Sequence, residues 1–126
     1  MKHFTKVMPG EQVRLGEIDP DYHEDLSKRD DEVEERADAA RGRMRDLQAR
    51  LYAEGEQSLL IVLQAMDTGG KDGTIKHVMR GLNPAGVCVA GFKQPSAEEL
   101  AHDFLWRVHP HAPKKGHIAV FNRSHY

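Results

Sequence analysis

A chain of 126 residues, 39% hydrophobic and 30% charged, has the length and balance of one globular domain able to bury a core. No run approaches the roughly 18 consecutive apolar residues of a membrane span, the N-terminus MKHFTKVMPGEQVRLGEIDPDY has no apolar signal stretch, and Cys88 as the sole cysteine excludes an internal disulfide framework. The expected compartment is therefore a reducing cytoplasm. The net charge of −2 conceals an asymmetry: residues 1–57 hold 15 acidic and 10 basic side chains, residues 58–126 hold 5 and 8.

Residues 1–26, with Pro9, Gly10, Gly16 and Pro20 and no sustained period, predict an extended arm. From Ser27 the pattern becomes helical. Val33, Ala37, Ala40, Met44, Leu47 and Leu51 recur at steps of three and four, one stripe of a helix over 28–54. Ser27 with Asp30 resembles a capping box with a shorter acid, and Gly55 is placed to stop the helix. Between Ser58 and Gln64 the chain is continuously apolar, as a strand buried on both faces should be. A glycine-rich turn follows, then a helix from Lys71 to Arg80 ended by Gly81 and Pro84, and a second strand from Val87 to Phe92. Ser96 and Glu99 have true capping-box spacing and open a helix through Val108, with Phe104 and Trp106 on its core face; His117 to Phe121 reads as a third strand. The result is βαβαβ: an α/β chain with a parallel sheet flanked by helices. Residues 27–126 read as the front, C-terminally truncated part of a single domain, since connection rules would have further units follow a three-stranded sheet.

The turn carries the chemistry. In AMDTGGKDGTIKHV, Gly70 and Lys71 match the end of the phosphate-loop pattern G-x-x-x-x-G-K-[ST], but Ala65 stands where the first glycine belongs and Asp72 replaces the hydroxyl residue. Gly69, Gly70 and Gly73 leave backbone amides open to an anion, and the helix that follows through Thr74 aims its positive end at the same place. Asp67 and Asp72 bracket the lysine with hard oxygen ligands suited to Mg²⁺. Taken alone, a plain turn with a favourable acid at a helix start explains the same residues equally well; the strand before and the helix after favour a phosphate site. At the end of the third strand, Asn122 offers a carbonyl oxygen where phosphate-loop kinases commonly place a metal-holding acid, and Arg123 follows at the edge where open α/β folds bind ligands.

Together, AMDTGGKDGTIKHV, FKQPSAEELAHDFLWRVHPHAP and FNRSHY resemble the second family of polyphosphate kinases, over about Leu51 to Tyr126. The resemblance implies a phosphate-loop kinase-like fold and Mg²⁺-dependent phosphoryl transfer between inorganic polyphosphate and a nucleoside mono- or diphosphate, AMP or ADP. It implies that Asp67 holds magnesium, with Asn122 as a neutral second contact, that Lys71 binds the transferring phosphoryl group, and that the amides around Gly69 and Gly70 cradle it. Arg123 would contact phosphate as a third catalytic residue. Asn122 departs from the aspartate of many members. A polyphosphate track would draw on Arg80, Lys93 and Arg107. The partners expected are polyphosphate and the nucleotide, with homo-oligomer formation open and no nucleic acid or membrane. In the family, lid arginines lie C-terminal to this region, so a non-catalytic nucleotide- or polyphosphate-binding module is the competing reading. An ATP-dependent nucleotide kinase of the same fold would keep Ser or Thr at position 72.

Overall fold

Residues 58–126 alternate strand and helix because apolar runs of about five residues are cut by glycine- and proline-bearing turns. The structure, a computed structural model, describes residues 8–14, 16, 18 and 31–125. Its elements are α1 (Asp31–Glu54), β1 (Leu59–Leu63), α2 (Lys71–Val78), β2 (Val87–Gly91), α3 (Ala97–Leu100) and β3 (Ile118–Asn122), with short 3₁₀ turns at Pro84–Gly86 and His109–His111. The chain divides into two units, Met1–Asp38 and Ala39–Tyr126, a boundary that falls within α1. In the first, the Met8 amide donates to a Glu11 carboxylate oxygen at 2.9 Å across a turn at Pro9 and Gly10. The Ser27–Asp30 cap lies outside the described residues.

In the second unit the three strands run parallel in the order β1-β3-β2. Ile118 pairs in register with Leu59 on one side and Val87 on the other, and Asn122 with Leu63 and Gly91. β3 is therefore the central strand, and Ile118, Ala119, Val120 and Phe121 are all buried. Phe121 meets Phe92 edge to face at 5.0 Å, and Ala90, Val108 and Ala119 complete the cluster.

β1 is less buried than its composition predicts. Leu59, Leu60 and Val62 are 47%, 44% and 42% exposed. A continuously apolar strand reads as central, but among the described residues β1 is the flank of the sheet, with a neighbour on one side alone. The predicted helix over residues 96–108 is also corrected. The capping box forms, with Ser96 N–H donating to Glu99 Oε2 at 2.7 Å and Glu99 N–H to Ser96 Oγ at 3.2 Å, yet α3 stops at Leu100. Asp103 Oδ1 captures the Leu105 amide at 2.8 Å, which replaces a helical bond by a local turn. Leu100 and Phe104 stay 71% and 63% exposed, and Trp106, stacked on His102, is 40% exposed rather than in the core.

α1 ends as expected at Gly55, whose φ of 63° lets its amide turn back to Leu51 O at 3.1 Å. The buried residue of α1 is not one of the apolar stripe but Gln48, 4% exposed, while Leu47 is 61% exposed. Gln48 Oε1 accepts from Asn83 N at 2.8 Å and its Nε2 donates to Asn83 O at 2.7 Å. This double bond fixes the turn that leads into β2. Gln48→Ala leaves the Asn83 amide without a partner, its carbonyl keeping only the Gly86 amide, and is expected to cost about 1–3 kcal/mol. A thermal melt should fall by about 4–8 °C for each kcal/mol lost. No helix among the described residues is long and apolar enough to cross a membrane, and Cys88 is exposed as a free thiol.

Candidate functional site

β1 delivers the chain to a loop whose geometry only certain residues permit. A Cβ on Gly69 would lie 2.9 Å from Ala65 Cβ and 3.0 Å from Met66 O, so glycine is required where the Gly69 amide donates to Met66 O at 3.1 Å. Thr68 and Gly70 both take left-handed backbone, φ 65° and 76°; the non-glycine case is costly and concentrates at ligand sites. Gly70 is the N-cap of α2 and offers no side-chain acceptor. The first-turn amides of α2 thus lack protein acceptors and carry the positive end of the helix.

Lys71 opens α2 and folds back into the loop. Its Nζ donates to Ala65 O at 3.0 Å and Met66 O at 2.8 Å, and the residue is buried. An ammonium has three donors. Two hold the loop closed, and the third has no protein acceptor among the described residues.

The end of β3 is clamped from both sides. Asn122 O accepts from Phe92 N at 3.0 Å, and Arg123 N donates to Leu63 O at 2.9 Å. Arg123 then turns through a left-handed φ of 70°, and its Nη2 meets Asp67 Oδ1 at 3.0 Å. The Asp67 side chain is 92% exposed, so this pair adds little stability and leaves the carboxylate free to change partner. Asn122 Nδ2 makes a short hydrogen bond to Asp72 Oδ1. The loop, Asp72, Gly73, Lys93, Asn122 and Arg123 line one cleft of about 370 Å³.

The structure therefore gathers Asp67, Gly69, Gly70, Lys71, Asp72, Gly73, Lys93, Asn122 and Arg123 in one place. Thr74 is not among them: its amide and hydroxyl both bond Gly70 O, at 2.9 and 3.1 Å. Arg80 does not line this cleft but a neighbouring basic hollow with Lys76 and His77. Arg107 departs from the expectation of a track-lining cation, being 8% exposed. It sits 5.3 Å over the Phe92 ring, donates through Nη2 to Lys93 O at 2.8 Å, and has Nε 3.3 Å from Glu99 Oε1. That nitrogen contact is an ion pair without hydrogen-bond geometry. Its contacts hold the segment that brings Lys93 to the cleft. Thr68 of the loop also lines the cleft, as do Gly91 and Phe92, and these last two were not legible beforehand, because nothing in their local pattern marks a strand end as a wall.

The oxygen donors Asp67, Asp72 and Asn122 suit a hard cation, but among the described residues no group of three or more His, Cys, Asp or Glu could hold a metal alone. Magnesium takes one or two carboxylates together with waters and substrate phosphates. The donor set fits an ion that arrives with its phosphate ligand.

The sequence profile of the family described as Polyphosphate kinase 2 (PPK2) matches residues 26–126. The chain is 47% identical over 126 residues to the AMP/ADP-polyphosphate phosphotransferase of Meiothermus ruber, covering all of this chain and 47% of that protein. It is 46% identical over 139 aligned positions to the ADP-polyphosphate phosphotransferase of Rhodopseudomonas palustris, covering all of this chain and 44% of the relative. Against the crystal structure of polyphosphate kinase 2 from Arthrobacter aurescens TC1 the TM-score is 0.80 at 38% identity, over 94% of this chain and 43% of that one. The chain spans about half the length of the curated relatives it matches. With the parallel sheet, the glycine loop and the strand-end pair all in the matched region, the chain belongs to the polyphosphate kinase 2 family.

Proposed function

We propose that this chain takes part in phosphoryl transfer between inorganic polyphosphate and a nucleoside mono- or diphosphate, AMP or ADP. The observation that carries the reading is Lys71 Nζ, held by two loop carbonyls beside first-turn amides that have no side-chain cap. Such a cradle suits a phosphate group. The match of this whole chain to 47% of an AMP/ADP-polyphosphate phosphotransferase supports the substrate pair.

In this reading the terminal phosphoryl group of polyphosphate moves to a phosphate oxygen of the nucleotide. One P–O bond breaks, one forms, and the polymer shortens by a single phosphate. Lys71 and the amides of residues 70–73 neutralise charge on the transferring group, whereas the Gly69 amide, expected in the cradle, is spent on Met66 O. Arg123 exchanges its contact with Asp67 for the incoming phosphate, which releases the Asp67 carboxylate. Asp67, with Asn122, would hold Mg²⁺, which supplies charge neutralisation between neighbouring phosphates. Lys93 extends the positive lining toward the rest of the polyanion. The protein contributes positioning and electrostatics. The lone exposed thiol is compatible with a reducing cytoplasm.

Formation of ATP from ADP, long-chain polyphosphate and Mg²⁺ tests the reading. ATP made with polyphosphate as the donor, and lost in Lys71→Ala, supports it. Polyphosphate binding with no turnover would reduce the chain to a binding module. Preference for a nucleoside triphosphate donor would contradict the assignment of polyphosphate.

A further inference from the structure

We propose that Asp72 is a positioning residue: its carboxylate holds the side chain of Asn122 and sets which atom Asn122 presents to the cleft. The two residues are fifty positions apart, one in the first turn of α2 and the other the last residue of β3. They are joined by the hydrogen bond from Asn122 Nδ2 to Asp72 Oδ1. An ionised carboxylate can only accept, so the amide nitrogen must face Asp72 and the amide flip is fixed by chemistry. Asn122 Oδ1 is then left without a protein partner among the described residues. The backbone at this point is already held by Phe92 and Leu63. The side-chain torsion was the remaining freedom, and Asp72 removes it.

This accounts for two departures from the phosphate-loop pattern with one interaction. Asp72 stands where the hydroxyl residue usually follows the lysine, and Asn122 where an acid often ends the strand. A carboxylate at both positions would place two negative oxygens at hydrogen-bonding distance, so an acid in the loop matches an amide on the strand. The pair also ties the start of α2 to the end of β3, so the cradle and the strand-end contacts move together.

The proposal rests on the phosphate reading for its ligand, and its test separates the two. Asp72→Ala removes a negative charge beside a bound polyanion, so electrostatics alone predicts tighter binding of tripolyphosphate. Positioning predicts the reverse when Mg²⁺ is present: Asn122 Oδ1, an acceptor, can meet the ion but not a phosphate oxygen, so losing its orientation should weaken binding of tripolyphosphate with Mg²⁺ about tenfold by calorimetry. Asp72→Asn keeps an acceptor oxygen and should stay within about twofold of the parent. In ¹⁵N spectra, the Asn122 side-chain amide should shift to the position of a free amide in Asp72→Ala and move less in Asp72→Asn. Equal or tighter binding by Asp72→Ala, or an unmoved Asn122 amide signal, overturns the proposal. Failure of the parent to bind tripolyphosphate would sink the phosphate reading, and the amide signal would still decide the Asp72–Asn122 contact.

Discussion

Replacing Lys71 by alanine is expected to weaken tripolyphosphate binding by about 100-fold or more, as the loss of charge-assisted contacts worth about 1.5–3 kcal/mol each implies. The loss has two parts. The ammonium charge disappears from the floor of the cleft, and the carbonyls of Ala65 and Met66 lose the donor that draws them together. The second part means that the loop itself opens, so the amides of residues 70–73 no longer converge. Lys71→Arg should not rescue, because residue 71 is only 9% exposed and a planar fork cannot reproduce a three-way point donor. Calorimetric titration of each variant measures this directly. Retained affinity in Lys71→Ala would remove the lysine from the site.

The second large effect lies in the core. Phe121→Ala should destabilise the fold by about 3–5 kcal/mol, a large share of the roughly 5–15 kcal/mol that holds a typical domain together. Phe121 is 3% exposed and meets the Phe92 ring at 5.0 Å and 70°. It also precedes Asn122 and Arg123, so loosened packing here displaces the strand-end contacts before the chain unfolds. A chemical denaturation curve should show the midpoint falling sharply. A change below about 1 kcal/mol would mean the cluster is not the core.

Much of the site was legible because its geometry is local. Gly69, Gly70 and Lys71 sit together in sequence, and the strand and helix that flank them announce themselves by composition. Gly55 and the Ser96–Glu99 cap were equally readable, since each acts within a single turn. What escaped depends on distant neighbours. β1 has the composition of a central strand, and its exposure follows from its place at the flank of the β1-β3-β2 order. Arg107 looks like a surface cation until its guanidinium is seen over Phe92 and against Lys93 O. Gln48 belongs to no apolar pattern, yet it satisfies both backbone groups of Asn83. The shortened α3 follows from one side chain, Asp103, competing for a backbone amide. The Asp72–Asn122 contact joins two individually odd residues whose relation appears only when the sheet brings them together.

The loop of residues 67–73, with Asn122 and Arg123, is proposed here as a cradle for phosphate groups. Backbone amide shifts of this chain, followed while tripolyphosphate is added, test it most directly. Saturable shifts are expected at Gly69 to Gly73 and at Arg123, while the exposed residues Lys114 and Lys115, which do not line the cleft, stay unmoved. Shifts confined to that loop or to the basic hollow around Lys76 and Arg80, with Gly69 to Gly73 silent, would contradict it.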